Sequence, residues 1–111
     1  MVYSADQIEH IVQDYLGKTL TRVPDIEEVW LFGSYNNGTP NDNSDVDLAI
    51  VSERFADNLP VAMIDFYEAV WEMKVDVSIQ VHGFTRNEFA NSTEILAQEV
   101  KRTGKRLYPV Q

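Results

Sequence analysis

Apolar residues at Ile8, Ile11, Val12, Tyr15 and Leu16 recur three and four positions apart, which winds them onto one face of a helix. Ser4 can cap that run and Gly17 with Lys18 closes it, so the pattern predicts a helix over residues 5–17. The next apolar stretch, EVWLF at 28–32, is too short for a helix and stops at Gly33, which predicts a buried strand. Residues 33–44 are almost all Gly, Ser, Asn, Thr, Pro or Asp, types that build turns, and predict a loop with room for one helical turn. Residues 45–51 alternate, with Val46, Leu48 and Ile50 on one face and Asp45 and Asp47 on the other, the period of a second strand. Pro60 opens a helix predicted over 60–72, whose apolar side of Val61, Ile64, Tyr67, Ala69, Val70 and Trp71 should cover the sheet. Alternation returns at 75–81, setting Val75, Val77, Ile79 and Val81 opposite Asp76, Ser78 and Gln80 in a third strand. A last helix is predicted over 92–103, capped by Ser92 and ended by Gly104, with Ile95, Leu96 and Val100 inward.

The chain has 111 residues, 44% of them hydrophobic, the size of one ordinary domain with one core. With no cysteine, disulfides and thiolate-bound zinc are excluded, and the composition suits the reducing cytoplasm. No run approaches the roughly 18 apolar residues of a membrane span, and the amino terminus does not read as an export signal. A net charge of −9 opposes attraction to phosphate backbones, so no direct nucleic-acid partner is expected. The positive charge gathers at Lys101, Arg102, Lys105 and Arg106, where it suits the dipole of a helix carboxyl end or a docking patch.

Asp45 and Asp47 share a strand face, roughly 6.6 to 6.8 Å apart by strand rise, and like charges that close call for a compensating cation. Their hard oxygens select Mg²⁺ or Mn²⁺, and two ions about 3.5 to 4 Å apart suit a cluster to which Asp76 adds a third carboxylate. An isolated D-x-D is more simply a pair of solvent-facing acids. The turn upstream changes that weighting. Gly33 lets backbone approach a ligand, Ser34 offers a hydroxyl and an amide, and a helical turn starting there favours phosphate oxygens. Asn37-Gly38 by itself reads as a plain turn between two strands.

Phe32-Gly33-Ser34, then Ser44-Asp45-Val46-Asp47-Leu48-Ala49-Ile50, then Val75-Asp76-Val77 resembles the nucleotidyltransferase superfamily that includes DNA polymerase beta. The match covers about residues 28–81, and the short length with flanking helices resembles the minimal MntA-type antitoxins paired with HEPN toxins. The resemblance implies an α+β (α/β) fold over a single domain, 1–111: a mixed β-sheet with helices packed mainly on one face and the other open to nucleotide. It also implies that Gly33 and Ser34 hold MgATP, and that Asp45, Asp47 and Asp76 are both catalytic and metal-binding. An adenylyl group then passes to a tyrosine hydroxyl of the HEPN-type toxin, with release of pyrophosphate.

The chain departs from the family where many minimal members follow Gly-Ser with x-A-R-G, because here the segment is Tyr35-Asn36-Asn37-Gly38. A guanidinium can grip phosphate with two hydrogen bonds, whereas Asn37 brings no charge. Lys74, beside the third strand, reads as a surface lysine, and His82 and His10 as structural or solvent-facing. Trp30, Trp71, Phe66, Tyr67 and Phe84 read as core, one of them bordering an adenine at most. The missing arginine motivates a rival function, an antitoxin that neutralises its partner by occlusion. An antibiotic nucleotidyltransferase is disfavoured because so short a chain leaves little for an acceptor pocket, and a phosphohydrolase because no water-activating base stands out. An oligomer is compatible with all of these.

Overall fold

The computed structural model describes residues 2–91 and 93–109. Along the chain run α1 (Ala5–Arg22), β1 (Glu28–Phe32), α2 (Ser34–Asn37), β2 (Val46–Val51), a 3₁₀ turn (Glu53–Ala56), α3 (Leu59–Glu72), β3 (Ile79–Phe84), α4 (Arg86–Ala90), α5 (Ile95–Thr103) and β4 (Lys105–Tyr108). The sheet has four strands in the order β3-β2-β1-β4. β1 pairs antiparallel with both β2 and β4, while β2 and β3 run parallel, joined by the crossover that contains α3. This is a mixed sheet in an α+β frame.

Alternation along β2 divides the two faces. Val46, Leu48 and Ile50 are fully buried and belong to the main core beneath α1 and α3, with Tyr15, Phe66 and Ile79. Ala49 and Val51, on the opposite face, join a smaller core with Phe84, Phe89, Ala97 and Val100, so α4 and α5 cover one end of that face. At its other end stands Asp47, with 27% of its side chain exposed. The two long helices therefore share one face, and the acid lies beyond the short helices on the other.

Several expectations move once the elements pack. Ser4 caps α1 as expected, accepting from the Gln7 amide at 3.1 Å while Gln7 Oε1 accepts from the Ser4 amide at 2.8 Å. The helix nevertheless runs past Gly17 to Arg22. Glycine costs a helix interior about 1 kcal/mol, and the turn beyond it compensates by burying Thr19 and setting Arg22 against Glu68 and Glu72 of α3.

The third strand lies later than its alternation implies. β3 begins at Ile79, since the parallel register pairs Val46 through Val51 with Ile79 through Phe84. Val77 is buried and Val75 packs on the core from an irregular segment, so apolar alternation continues there without a ladder. Asp76 is thus exposed in a bend ahead of β3, not on it.

On α3 the inward residues are Ala62, Phe66 and Ala69. Val61, Ile64 and Trp71 were expected to cover the sheet, yet they are 58%, 48% and 68% exposed. Small Ala62 and Ala69 let the helix lie close to its neighbours on that side. The last helix, expected over 92–103, is α5 from Ile95, with Glu94 at its N-cap and Ala97 and Val100 inward, whereas Ile95 is 79% exposed; the short α4 ahead of it was not expected. The expected cap Ser92 lies outside the described residues. Lys105 and Arg106 belong to β4, an edge strand; lysine on an edge discourages further strand pairing.

Candidate active site

Gly33 ends β1 at φ +82° and ψ −162°, a backbone conformation essentially restricted to glycine, and starts the single turn of α2. A Cβ there would run into Oδ2 of Asp47. The missing side chain is what lets the Asp47 carboxylate lie against the backbone of the Gly-Ser turn. Two distant segments of sequence meet at this contact.

Ser34 then staples the following loop. Its hydroxyl lies 2.9 Å from that of Ser44, which accepts from the Asn41 amide at 2.8 Å, so the chain entering Asp45 is held to the start of α2. Asn36 donates from Nδ2 to the Thr103 carbonyl at 2.7 Å, tying α2 to the end of α5. Asn36 is thereby committed to structure.

The three aspartates occupy two settings. Asp45 and Asp76 line one cavity of about 260 Å³, together with Tyr3, Asp42, Ser44 and Ser78. Asp47 does not line it. Its Oδ1 lies 3.3 Å from Nε2 of His82, whose ring meets Phe32 edge-on with centroids 5.1 Å apart. A cavity of similar size, about 270 Å³, lies between α1, β1 and β4 over Ile8, Leu31 and Leu107, and none of the three acids lines it.

These side chains are hard oxygen donors, the chemistry that suits Mg²⁺. Among the described residues, however, no group of three or more His, Cys, Asp or Glu is placed to hold a metal ion together. Two carboxylates border a common cavity, and the third faces an imidazole. No Lys or Arg lines the cavity with Asp45 and Asp76, so the residue at the departed arginine position has no cationic replacement in that lining.

Sequence alone makes His82 structural or solvent-facing, and the structure sets its imidazole beside Asp47. Its even position places it on the same face as Ser78 and Gln80, a signal present in the alternation. What could not be read was the register: Asp47 pairs with Gln80 and Ala49 with His82, which puts the imidazole within reach of the acid. Lys74 is exposed and His10 bonds the Asp6 carbonyl of its own helix at 2.9 Å, both in keeping with their structural readings. Trp71 was expected in the core and stands outside it.

Comparison with known proteins identifies the family. The sequence profile of the family described as polymerase beta, nucleotidyltransferase matches residues 14–110. The chain is 28% identical over 90 residues to the protein adenylyltransferase MntA of Shewanella oneidensis, an alignment covering 80% of this chain and 58% of that protein. This chain therefore spans less than two thirds of the length of that relative. A crystal structure of a toxin–antitoxin with AMP-PNP superposes with a TM-score of 0.63 at 29% identity, covering 89% of this chain and 74% of the other. A variant of the MntA-HpeT toxin–antitoxin superposes at 0.60 with 27% identity, over 93% of this chain and 73% of its counterpart. The profile spans most of the chain and its fold is shared, so this protein belongs to the polymerase beta nucleotidyltransferase family, as one of its minimal members.

Proposed function

We propose that this chain is a single-domain, cytoplasmic, Mg²⁺-dependent nucleotidyltransferase that moves an adenylyl group from ATP to a tyrosine hydroxyl of a HEPN-type toxin, and so acts as its antitoxin. The observation that carries this reading is the Asp47 carboxylate laid against the Gly33 backbone at the head of the Ser34 turn. That contact sets an acid beside a turn whose amides and hydroxyl suit phosphate oxygens. The likeness to a protein adenylyltransferase and to toxin–antitoxin structures, one with AMP-PNP, supports the choice of nucleotide and partner.

In this reading the tyrosine oxygen attacks the α-phosphorus of ATP, the bond from that phosphorus to the bridging oxygen breaks, and pyrophosphate leaves. Gly33 and Ser34 bind and orient the triphosphate, while exposed Asp76 accepts the hydroxyl proton. Asp45 and Asp76, which share one cavity, would hold Mg²⁺, with Asp47 as the third carboxylate that the reading requires although it stands outside that lining. The chemistry the ion would supply is neutralisation of charge on the phosphates and the entering oxygen. Labelled ATP, Mg²⁺ and the HEPN-type toxin should give a labelled toxin, and Asp47→Asn should abolish transfer. Undiminished transfer by that variant would remove the reading.

A second reading is antitoxin action by occlusion alone. The absence of Lys and Arg from the cavity lined by Asp45 and Asp76 favours it, since a triphosphate gains much from a cation there. If a chain carrying both Asp45→Asn and Asp47→Asn still protects cells from the toxin, occlusion replaces catalysis.

A further inference from the structure

We infer that the outer face of α3 is the docking surface for a cationic amphipathic helix of the protein partner; the partner's identity as a toxin rests on the function proposed above. Val61, Ile64 and Trp71 stand three and seven positions apart and are 58%, 48% and 68% exposed, a stripe on the side of α3 away from Ala62, Phe66 and Ala69. Isolated exposed apolar residues are ordinary, but a tryptophan at the end of an aligned run on one helix face is the composition of an interface centre. Nothing in the described structure packs the stripe away.

Charge chooses the occupant. α3 carries Asp65, Glu68 and Glu72 and no Lys or Arg from Leu59 to Glu72, and Arg22 of α1 meets both glutamates, so one cation faces two acids there. Beside Val61 a cavity of about 170 Å³ is bordered by Asp57, Asp65 and Arg54. Asp65 already faces Arg54 at 3.4 Å, whereas Asp57 has no ion pair among the described residues, leaving a carboxylate at the stripe's amino-terminal end for an incoming Lys or Arg. A second copy of this chain, at −9, would set acid against acid across the same face. The fitting partner is a helix with apolar residues at i, i+3 and i+7 and basic residues beside them.

The test uses a HEPN-type toxin, the partner class of the proposed function, titrated into the full chain carrying Trp30→Phe so that Trp71 is its sole tryptophan. Docking predicts a blue shift of Trp71 emission, reduced quenching by acrylamide, and affinity that falls as salt rises. Ile64→Glu with Trp71→Glu should weaken binding at least tenfold while ATP binding, an index of intact fold, stays as in the parent. Unchanged toxin affinity in that double variant, or binding without any change at Trp71, overturns the docking surface, as does failure of the toxin to bind. If the toxin docks with the predicted Trp71 shift but receives no adenylyl group, the surface stands and the transferase reading falls. If transfer proceeds with Trp71 still exposed, the reverse holds.

Discussion

His82 Nε2 lies 3.3 Å from Asp47 Oδ1 across the parallel β2–β3 pair, and the His82 ring rests edge-on against Phe32. Phe32 sits opposite Asp47 on β1, and its ring packs on the imidazole. The acid is therefore oriented from two directions, by the Gly33 backbone and by the imidazole. Under the proposed function Asp47 is a metal ligand, and loss of a group that fixes such a carboxylate ordinarily costs about 10- to 100-fold in activity or metal affinity.

Replacing the imidazole should therefore slow adenylyl transfer by about tenfold or more and raise the Mg²⁺ concentration at half-maximal rate, with the melting temperature nearly unchanged. His82→Gln, which keeps a hydrogen-bond donor, should recover part of the loss that His82→Ala shows. Rates measured across a Mg²⁺ titration check both. An unchanged Mg²⁺ midpoint in His82→Ala would limit the residue to packing.

Gly33→Ala combines two faults. Its φ of +82° disfavours any side chain, and the new methyl would meet the Asp47 carboxylate. A destabilisation of about 1–3 kcal/mol is expected from the backbone conformation, together with lost transfer as the carboxylate is displaced. Urea melts of the variant and an ATP-transfer assay separate the two effects, and a variant melting like the parent would contradict the first.

Gly83 presses on a different neighbour, because a Cβ there would meet the ring of Phe55. That ring stacks on Phe66 with centroids 4.7 Å apart, so Gly83→Ala pushes against the main core from its edge. Overpacking of this kind costs about 1–3 kcal/mol. Urea denaturation should show it with little change in the Mg²⁺ dependence of transfer.

Tyr15 is fully buried and donates its hydroxyl to the Phe66 carbonyl at 2.8 Å. Burial pushes its phenol up from 10.0 to about 12. Because the folded state keeps the proton that the unfolded chain loses, the stabilisation is fully present below pH 10 and is lost as pH rises from about 10 through 12. Two units correspond to about 2–3 kcal/mol. Urea melts at pH 9, 10 and 11 should fall progressively for the parent. In Tyr15→Phe the fall should be shallower, from a starting stability lower by about 1 kcal/mol for the lost hydrogen bond.

Much of this protein is legible in the order of its residues because short-range periodicity is a local property. β1 begins and ends where EVWLF does, α3 starts within a residue of its proline signal, and the alternation of β2 places Val46, Leu48 and Ile50 in the core and Asp47 on the opposite face. The close spacing of Gly33, Ser34, Asp45 and Asp47 also advertises chemistry before any fold is known. Wherever pattern alone misleads, a contact distant in sequence has outweighed it. α1 outruns Gly17 because Arg22 finds Glu68 and Glu72, and Trp71 stays outside because Ala62, Phe66 and Ala69 already supply the inward side of α3.

From residues alone came the family resemblance, the acid pair, the Gly-Ser turn and the two-faced character of β2. Only tertiary structure decided that Gly33 lies on Asp47, that Asp45 shares a cavity with Asp76, and that His82 attends the second acid. The physical reason is register. Periodicity assigns a side chain to a face, but which residues meet across that face depends on how strands pair, and the pairing of β2 with β3 is set by packing through α3 and both cores.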